Sequence, residues 1–393
     1  MRILHITTMD GGGAGLCCIR IHQSLLNMGI ESKVLVLKKT TKSPEVYQYG
    51  NLIEKIARIP SKICRLASCQ ITDRNKIINL MRTNHTAYSL PVSPIDVTKH
   101  KLISWADIIH LHWVNNYVDL PSFFQKVRKP VIWTLHDENL FYGIAHHHKS
   151  ILPNNPLEIK YRDIKRRAIQ NAANLTIVFL SKMMYDKFGG EDFIGNRKKI
   201  IINNAVNANS FVPHNREKMR DKYNVDREKT VFAIMANDIG DPNKGLKVLS
   251  ESLCEIDPDR FEILAIGGNP QNVHYPLVHS VGNISSQSVL SELLSSADYF
   301  AMPSYQEAFP QSPMEAMACG LPVVAFPVSG TYEMMNENNG VVCDDFTKKS
   351  LKGGITRLLS KKYDANCIRQ DMINRFAPEI IAQKYFALYN SII

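Results

Sequence analysis

No apolar run in this 393-residue chain approaches the ~18–20 residues that a membrane-spanning helix needs. Glycine and proline are sparse at 20 and 19 residues, and no short repeat is visible, which excludes a collagen-like, low-complexity or solenoid chain. There is no Cys-x2-Cys spacing among the eight cysteines (Cys17, Cys18, Cys64, Cys69, Cys254, Cys319, Cys343, Cys367). A disulfide framework is not expected at this size without a secretory signal, so they read as reduced core residues. The opening Met-Arg-Ile-Leu-His-Ile-Thr-Thr holds too short an apolar stretch for a signal peptide and has no small-residue cleavage site. The expectation is a soluble, cytoplasmic protein.

What is present is an ordinary globular composition, 45% hydrophobic and 21% charged, at a length that favours two domains. The formal charge of +10 is uneven. Residues 1–200 hold 29 Lys and Arg against 15 Asp and Glu, whereas the remainder holds 18 against 22. The first half is therefore expected to meet something anionic: nucleic acid, a phosphorylated ligand or a lipid surface.

Short apolar runs alternate with helical patterns, the signature of parallel α/β sheets. Strands are expected at Arg2–Thr8, Lys33–Leu37, Ile108–Trp113, Val131–Leu135, Leu175–Leu180 and Ile200–Asn203, with a tight loop at Gly11–Gly15 and a helix at Leu16–Met28. The pattern restarts at Thr230–Met235, followed by helical Leu246–Leu253 and strand-like Phe261–Ile266, Tyr299–Met302 and Leu321–Ala325. Two Rossmann-like domains facing across a cleft are the economical reading. Residues 1–205 would form the first and 206–377 the second, with a closing helix at 378–393 that could cross back onto the first. Asn51–Ser68 interleaves Ile53, Ile56, Ile59, Ile63 and Leu66 with Lys55, Arg58, Lys62 and Arg65. Such a basic amphipathic helix can lie on an anionic membrane surface, or simply pack on its own core.

Two strings carry chemistry. Asp10-Gly-Gly-Gly-Ala-Gly15 joins the first strand to the first helix, where glycines let a ligand approach backbone N–H groups. It is not Gly-x-Gly-x-x-Gly, and the second strand ends in Lys38-Lys39 rather than an acidic residue, so a dehydrogenase is disfavoured. The stronger string is Glu307-Ala-Phe309-Pro-Gln-Ser-Pro-Met-Glu315-Ala-Met-Ala-Cys-Gly320-Leu-Pro-Val-Val. Ser312 is expected to cap a helix with Pro313 at its first position and Glu315 completing a capping box. One carboxylate then lies before the helix and one in its first turn, with free amides between. That layout suits a molecule with diol, diphosphate and diol in sequence, such as a nucleotide sugar.

With these residues the chain resembles the family 4 retaining glycosyltransferases of the GT-B fold. Their hallmark is this Glu-x7-Glu followed by Ala-Met-Ala-x-Gly-x-Pro-Val-Val. The glycine loop, Trp133-Thr-Leu-His136-Asp137, Lys244-Gly245, Ile201-Ile-Asn-Asn204-Ala-Val-Asn207 and Arg375-Phe-Ala extend the likeness over nearly the whole length. The resemblance implies that Glu315 holds the nucleotide ribose and Glu307 the donor-sugar hydroxyls. Amides around Phe309, Pro310, Gln311 and Ser312 would contact sugar and phosphate, and Lys244 would neutralise the departing diphosphate. Gly12, Gly13, Ala14 and Gly15 would approach the donor, and His136 would orient the transfer. His110, His112, Trp113 and Asp137 are the acceptor-side candidates. No metal and no cofactor are expected, and the donor would be a UDP- or GDP-sugar.

The chain departs from the family in having no Arg ahead of Lys244, which leaves that cation more alone, and in carrying Asn207 where Asp is common. His146-His147-His148 cannot all face one ion and reads as a polar loop, and Asp257-Pro-Asp259 as a turn. The leading expectation is a retaining glycosyltransferase acting on a glycan or lipid-linked acceptor in bacterial surface-polysaccharide synthesis, cytoplasmic or peripheral on the inner membrane face. The alternatives are a phosphorylase or epimerase of the same fold, or a basic nucleic-acid-binding protein, which the lack of a binding motif disfavours.

Overall fold

The computed structural model describes residues 1–50, 69–84 and 86–393. The basic segment 51–68 lies outside the described residues, as do the side chains of Cys64 and Cys69. The chain divides into two compact units. One comprises residues 1–180, 184–202 and 382–393, and the other residues 181–183 and 203–381.

The first unit is built on a seven-stranded parallel sheet: β1 (Arg2–Met9), β2 (Glu31–Lys38), β3 (Val46–Gln48), β4 (Ile108–Leu111), β5 (Val131–Leu135), β6 (Leu175–Phe179) and β7 (Lys199–Ile201). Their order is β3-β2-β1-β4-β5-β6-β7. β4, β5 and β6 are buried at every position, as expected of strands covered on both faces. The order reverses between β1 and β4, so their carboxyl ends frame the crevice where ligands bind in such sheets. The helix Gly12–Asn27 follows β1 and takes in the glycine string, where a loop over Gly11–Gly15 was expected.

The second unit repeats the plan with six parallel strands: β8 (Thr230–Asp238), β9 (Phe261–Gly268), β10 (Val278–Gly282), β11 (Tyr299–Met302), β12 (Val323–Ala325) and β13 (Gly340–Val342). The order β10-β9-β8-β11-β12-β13 puts the corresponding crevice at the ends of β8 and β11. Its core joins Phe232, Ile234, Leu249, Phe261, Ile263, Val324 and Leu351. The last helix, Pro378–Asn390, begins in the second unit, and from Ala382 onward it belongs to the first. There Tyr385 and Tyr389 are fully buried against the sheet. Cys17, Cys18, Cys319 and Cys343 are buried, but Cys254 is only half-buried and Cys367 is exposed, so the expectation of core cysteines fails for those two.

Candidate functional site

In the second unit the chain leaves β8 through a short 3-10 turn, Pro242–Lys244, and Gly245 then opens the helix Leu246–Ile256. Gly245 has φ +74°, and a Cβ there would stand 2.1 Å from the Pro303 carbonyl oxygen. Only glycine lets the turn after β8 press against the end of β11. Glu307 follows β11, and this approach brings Lys244 Nζ to 2.7 Å from its Oε1. Lys244, which has no Arg ahead of it as a second cation, is thus ion-paired to a carboxylate. Burial pulls the ammonium pKa down, but the facing carboxylate outweighs it and the net shift is upward.

The helix Ser312–Ala318 carries Glu315, buried in its first turn. Its cap is Gln311, with no side-chain cap bond, so Ser312 is the first helical residue and the expected Ser312–Glu315 capping box does not form. Phe309 and Pro310 are buried, and Gln311 and Ser312 half-buried. Asn204 Nδ2 donates to the Phe309 carbonyl at 3.0 Å, tying the 201–207 segment to this loop. Asn207 bonds Ser210 at 2.8 Å. Asp257 accepts from the Asp259 amide in a turn ahead of β9.

In the first unit Gly12 and Gly13 are exposed, Ala14 is half-buried and Gly15 buried. A Cβ on Gly15 would stand 2.5 Å from the Met9 carbonyl oxygen, so this glycine serves helix–strand packing. Asp10 ties the turn to the segment after β2, accepting from the amide and hydroxyl of both Thr40 and Thr41 at 2.7–2.8 Å.

One face of β1, β4 and β5 is polar. Register places His5 opposite His110, and His112 continues that face beyond β4. His5 Nδ1 lies 3.0 Å from His112 Nε2, and His112 Nδ1 lies 3.1 Å from His136 Nε2. His110 spans the hydroxyls of Tyr389 and Thr134, each at 2.8 Å. Burial holds His5, His110 and His112 well below the ordinary imidazole pKa. Burial also brings His136 down to about 4, against the opposing charge of Asp137.

His136 and Asp137 border a depression with His112, Trp113, Asn115 and Leu140. Asp137 accepts from Trp113 Nε1 at 2.8 Å, His146 Nδ1 at 2.5 Å and the Asn139 amide at 2.9 Å. Burial alone would raise its pKa, but His146 and that amide outweigh burial and hold it far below the carboxylate range. Within the expected polar loop His146 is the buried member, a partner of Asp137 and Ser89, whereas His147 is half-buried and His148 exposed. The loop 139–145 is clamped from helix Pro156–Gln170. Glu158 accepts from the amides of Gly143, Ile144 and Ala145, and Lys165 donates to Asn139 Oδ1 and the Tyr142 carbonyl. Neither residue stands out in the sequence, because each reads there as an ordinary charge on a solvated helix.

Among the described residues, His5, His110 and His112 bring possible metal-ligating nitrogens within 4.8 Å of one another. Every ring nitrogen of these three except His5 Nε2 is already engaged, so a cation would have to displace existing hydrogen bonds.

Whole-chain comparison agrees with this architecture. Anabaena HepE in complex with UDP and glucose superposes over 100% of both chains with a TM-score of 0.66 at 18% identity. The lipopolysaccharide-biosynthesis glycosyltransferase WaaG superposes over 97% of this chain and 95% of its own with a TM-score of 0.60. The fold is that of the GT-B glycosyltransferases. Within this GT-B fold, residues 230–361 match the family described as "Glycosyl transferases group 1". That segment contains Lys244, Glu307 and Glu315. Among curated relatives, the chain is 27% identical over 255 residues to the N,N'-diacetylbacillosaminyl-diphospho-undecaprenol alpha-1,3-N-acetylgalactosaminyltransferase of Campylobacter jejuni, covering 59% of this chain and 66% of that protein. It is 27% identical over 169 residues to the lipopolysaccharide glucosyltransferase WaaG of Escherichia coli, covering 38% and 42%. The aligned stretches thus span less than two thirds of either relative.

Proposed function

We propose that this chain is a family 4, retaining, metal-independent glycosyltransferase that moves a sugar from a UDP- or GDP-sugar to a glycan or lipid-linked acceptor. The observation that carries the reading is the Lys244–Glu307 pair in the crevice of the second unit, inside the segment that matches the glycosyl transferase family. A cation beside a carboxylate suits a ligand that joins a diphosphate to a polyhydroxylated ring. The cation meets the charge that develops on the leaving diphosphate, and the carboxylate accepts from sugar hydroxyls. Glu315 takes the ribose diol, and the amides of Phe309–Ser312 meet sugar and phosphate. In the first unit Gly12–Gly15 approach the donor, His136 hydrogen-bonds its sugar, and Trp113 and Asp137 serve the acceptor side, with His110 and His112 buried behind them.

Bacterial surface-polysaccharide synthesis is the proposed setting, since the names of the two curated relatives carry a diphospho-undecaprenol sugar and lipopolysaccharide. The excess positive charge of residues 1–200 suits an anionic acceptor at a membrane surface. No helix among the described residues is long and apolar enough to cross a membrane. The test is thermal stabilisation against UDP-, GDP-, ADP- and dTDP-sugars, followed by transfer assays with the best binder. Binding to the folded state raises stability by RT ln(1 + [L]/Kd), so one nucleotide should stand apart. No stabilisation by any of the four, at concentrations up to 5 mM, would overturn the donor assignment.

A further inference from the structure

Three imidazoles on one face of the first unit's sheet stand in a row: His5 on β1, His112 just past β4 and His136 just past β5. The contacts are His5 Nδ1 to His112 Nε2 at 3.0 Å and His112 Nδ1 to His136 Nε2 at 3.1 Å. At the inner end, His5 Nε2 is buried without a hydrogen-bond partner among the described residues. At the outer end the His136 ring is partly exposed, and its Nδ1 has no hydrogen bond among the described residues. His110 lies alongside with both nitrogens on the Tyr389 and Thr134 hydroxyls, so it does not interrupt the row. Burial keeps all three rings neutral, and Asp137 is the nearest opposing charge on His136.

A neutral imidazole offers one N–H and one lone pair. Each contact in the row needs one of each, so only two orderings exist. If every ring is protonated on Nδ1, the buried His5 Nε2 is a bare lone pair. If every ring is protonated on Nε2, an N–H is orphaned in the core. Buried N–H groups without an acceptor are rarer and costlier than underused acceptors, so the first ordering prevails.

We propose that His5 and His112 lock His136 in its Nδ1–H tautomer, so that its outer nitrogen is a fixed hydrogen-bond donor aimed at an oxygen of the sugar substrate. His112 and His5 are positioning residues, acting through His136. The proposal rests on the reading that His136 meets the donor sugar, but its first test does not.

The first test is a long-range proton–nitrogen correlation spectrum of the 15N-histidine-labelled full-length protein at pH 7.5. The His136 ring would be assigned from the signals lost in His136→Ala. An Nδ1–H tautomer at His5, His112 and His136 is expected, and Nε2–H or averaging tautomers at His136 overturn the proposal. The second test compares two substitutions at His112. In His112→Gln the amide moves out to the ε position and the donor to His136 is lost, so kcat should fall about tenfold with KM for the nucleotide sugar changing less. In His112→Asn the amide nitrogen keeps the Nδ1 place and should rescue most of that loss. Within a His136→Ala background the Gln effect should vanish. Equal losses in Asn and Gln, or a Gln effect that survives without His136, count against positioning. Unimpaired transfer by His136→Ala would remove His136 from the reaction and the positioning role with it. An impaired His136→Ala with the wrong tautomer would remove only the role of the row.

Discussion

Lys244 and Glu307, 63 residues apart in sequence, are joined by a 2.7 Å ion pair at the ends of two neighbouring strands. Each is half-buried, and no arginine stands ahead of Lys244 as a second cation, since the chain has Ala236-Asn237-Asp238 there. The pair holds the lysine charged and in place before any ligand arrives, which is the preorganisation that electrostatic catalysis requires.

Glu307→Ala is therefore expected to abolish transfer while leaving the fold intact. Lys244→Ala should lower kcat by ~10²–10³-fold, about 2.7–4 kcal/mol, comparable to losing one oxyanion donor. Steady-state kinetics with matched circular dichroism would check both. Near-normal turnover of Lys244→Ala would mean that another cation meets the diphosphate, and full activity in Glu307→Ala would refute the site.

The histidine layer makes stability fall on the acid side. His22 lies on the helix Gly12–Asn27 with its Nδ1 2.7 Å from Ser32 Oγ. Burial brings His22 and His136 down to about 4 in the folded protein, against about 6.5 when unfolded. Between these values the unfolded chain binds protons that the folded chain does not, so stability is full above about pH 6.5 and is lost as pH falls toward 4. His22 alone should contribute about 3 kcal/mol to that loss. Thermal melts from pH 7.5 to 4.5 would show a steep drop in Tm below pH 6.5, reduced in a His22→Gln variant. A flat profile would contradict the neutral layer.

Much of the fold was legible because β4, β5, β6, β8, β9 and β11 are short apolar runs between helical stretches, and burial on both faces leaves such runs no other use. The edge strands β3, β10 and β13 escaped because they are three to five residues long and only partly buried, with no period to read. The Glu307–Glu315 string was visible as local chemistry. Its contact with Lys244 was not, since that depends on β8 and β11 being adjacent while β9 and β10 turn the other way. His5 was invisible for a similar reason. A lone histidine in an apolar strand has no signal until β4 and β5 bring His112 and His136 into line with it.

The glycine string also divides by role only in three dimensions. Gly15 sits where the first helix touches the end of β1, with the Met9 carbonyl oxygen 2.5 Å from any added Cβ. Gly15→Ala must push the helix off the strand and should lower stability by ~1–3 kcal/mol, as overpacking does. Gly13→Ala, at an exposed position, should cost less than half as much. Urea titration of the two variants would separate them, and equal losses would show that the contact at Gly15 is not the constraint.

Glu158 tests the support of the depression around His136 and Asp137. Its carboxylate accepts from three consecutive amides, Gly143, Ile144 and Ala145, and it is 1% exposed. Glu158→Ala leaves three buried donors without an acceptor, at about 1–3 kcal/mol each, while Glu158→Gln keeps one carbonyl oxygen for them. The alanine variant should lose at least 3 kcal/mol of stability and the glutamine variant less. Because the same loop carries His146 to Asp137, transfer activity in the glutamine variant should fall as well, with kcat affected more than KM. Denaturation and kinetics on both variants would check this. Retained stability in Glu158→Ala would mean that water reaches these amides and that the loop does not depend on the clamp.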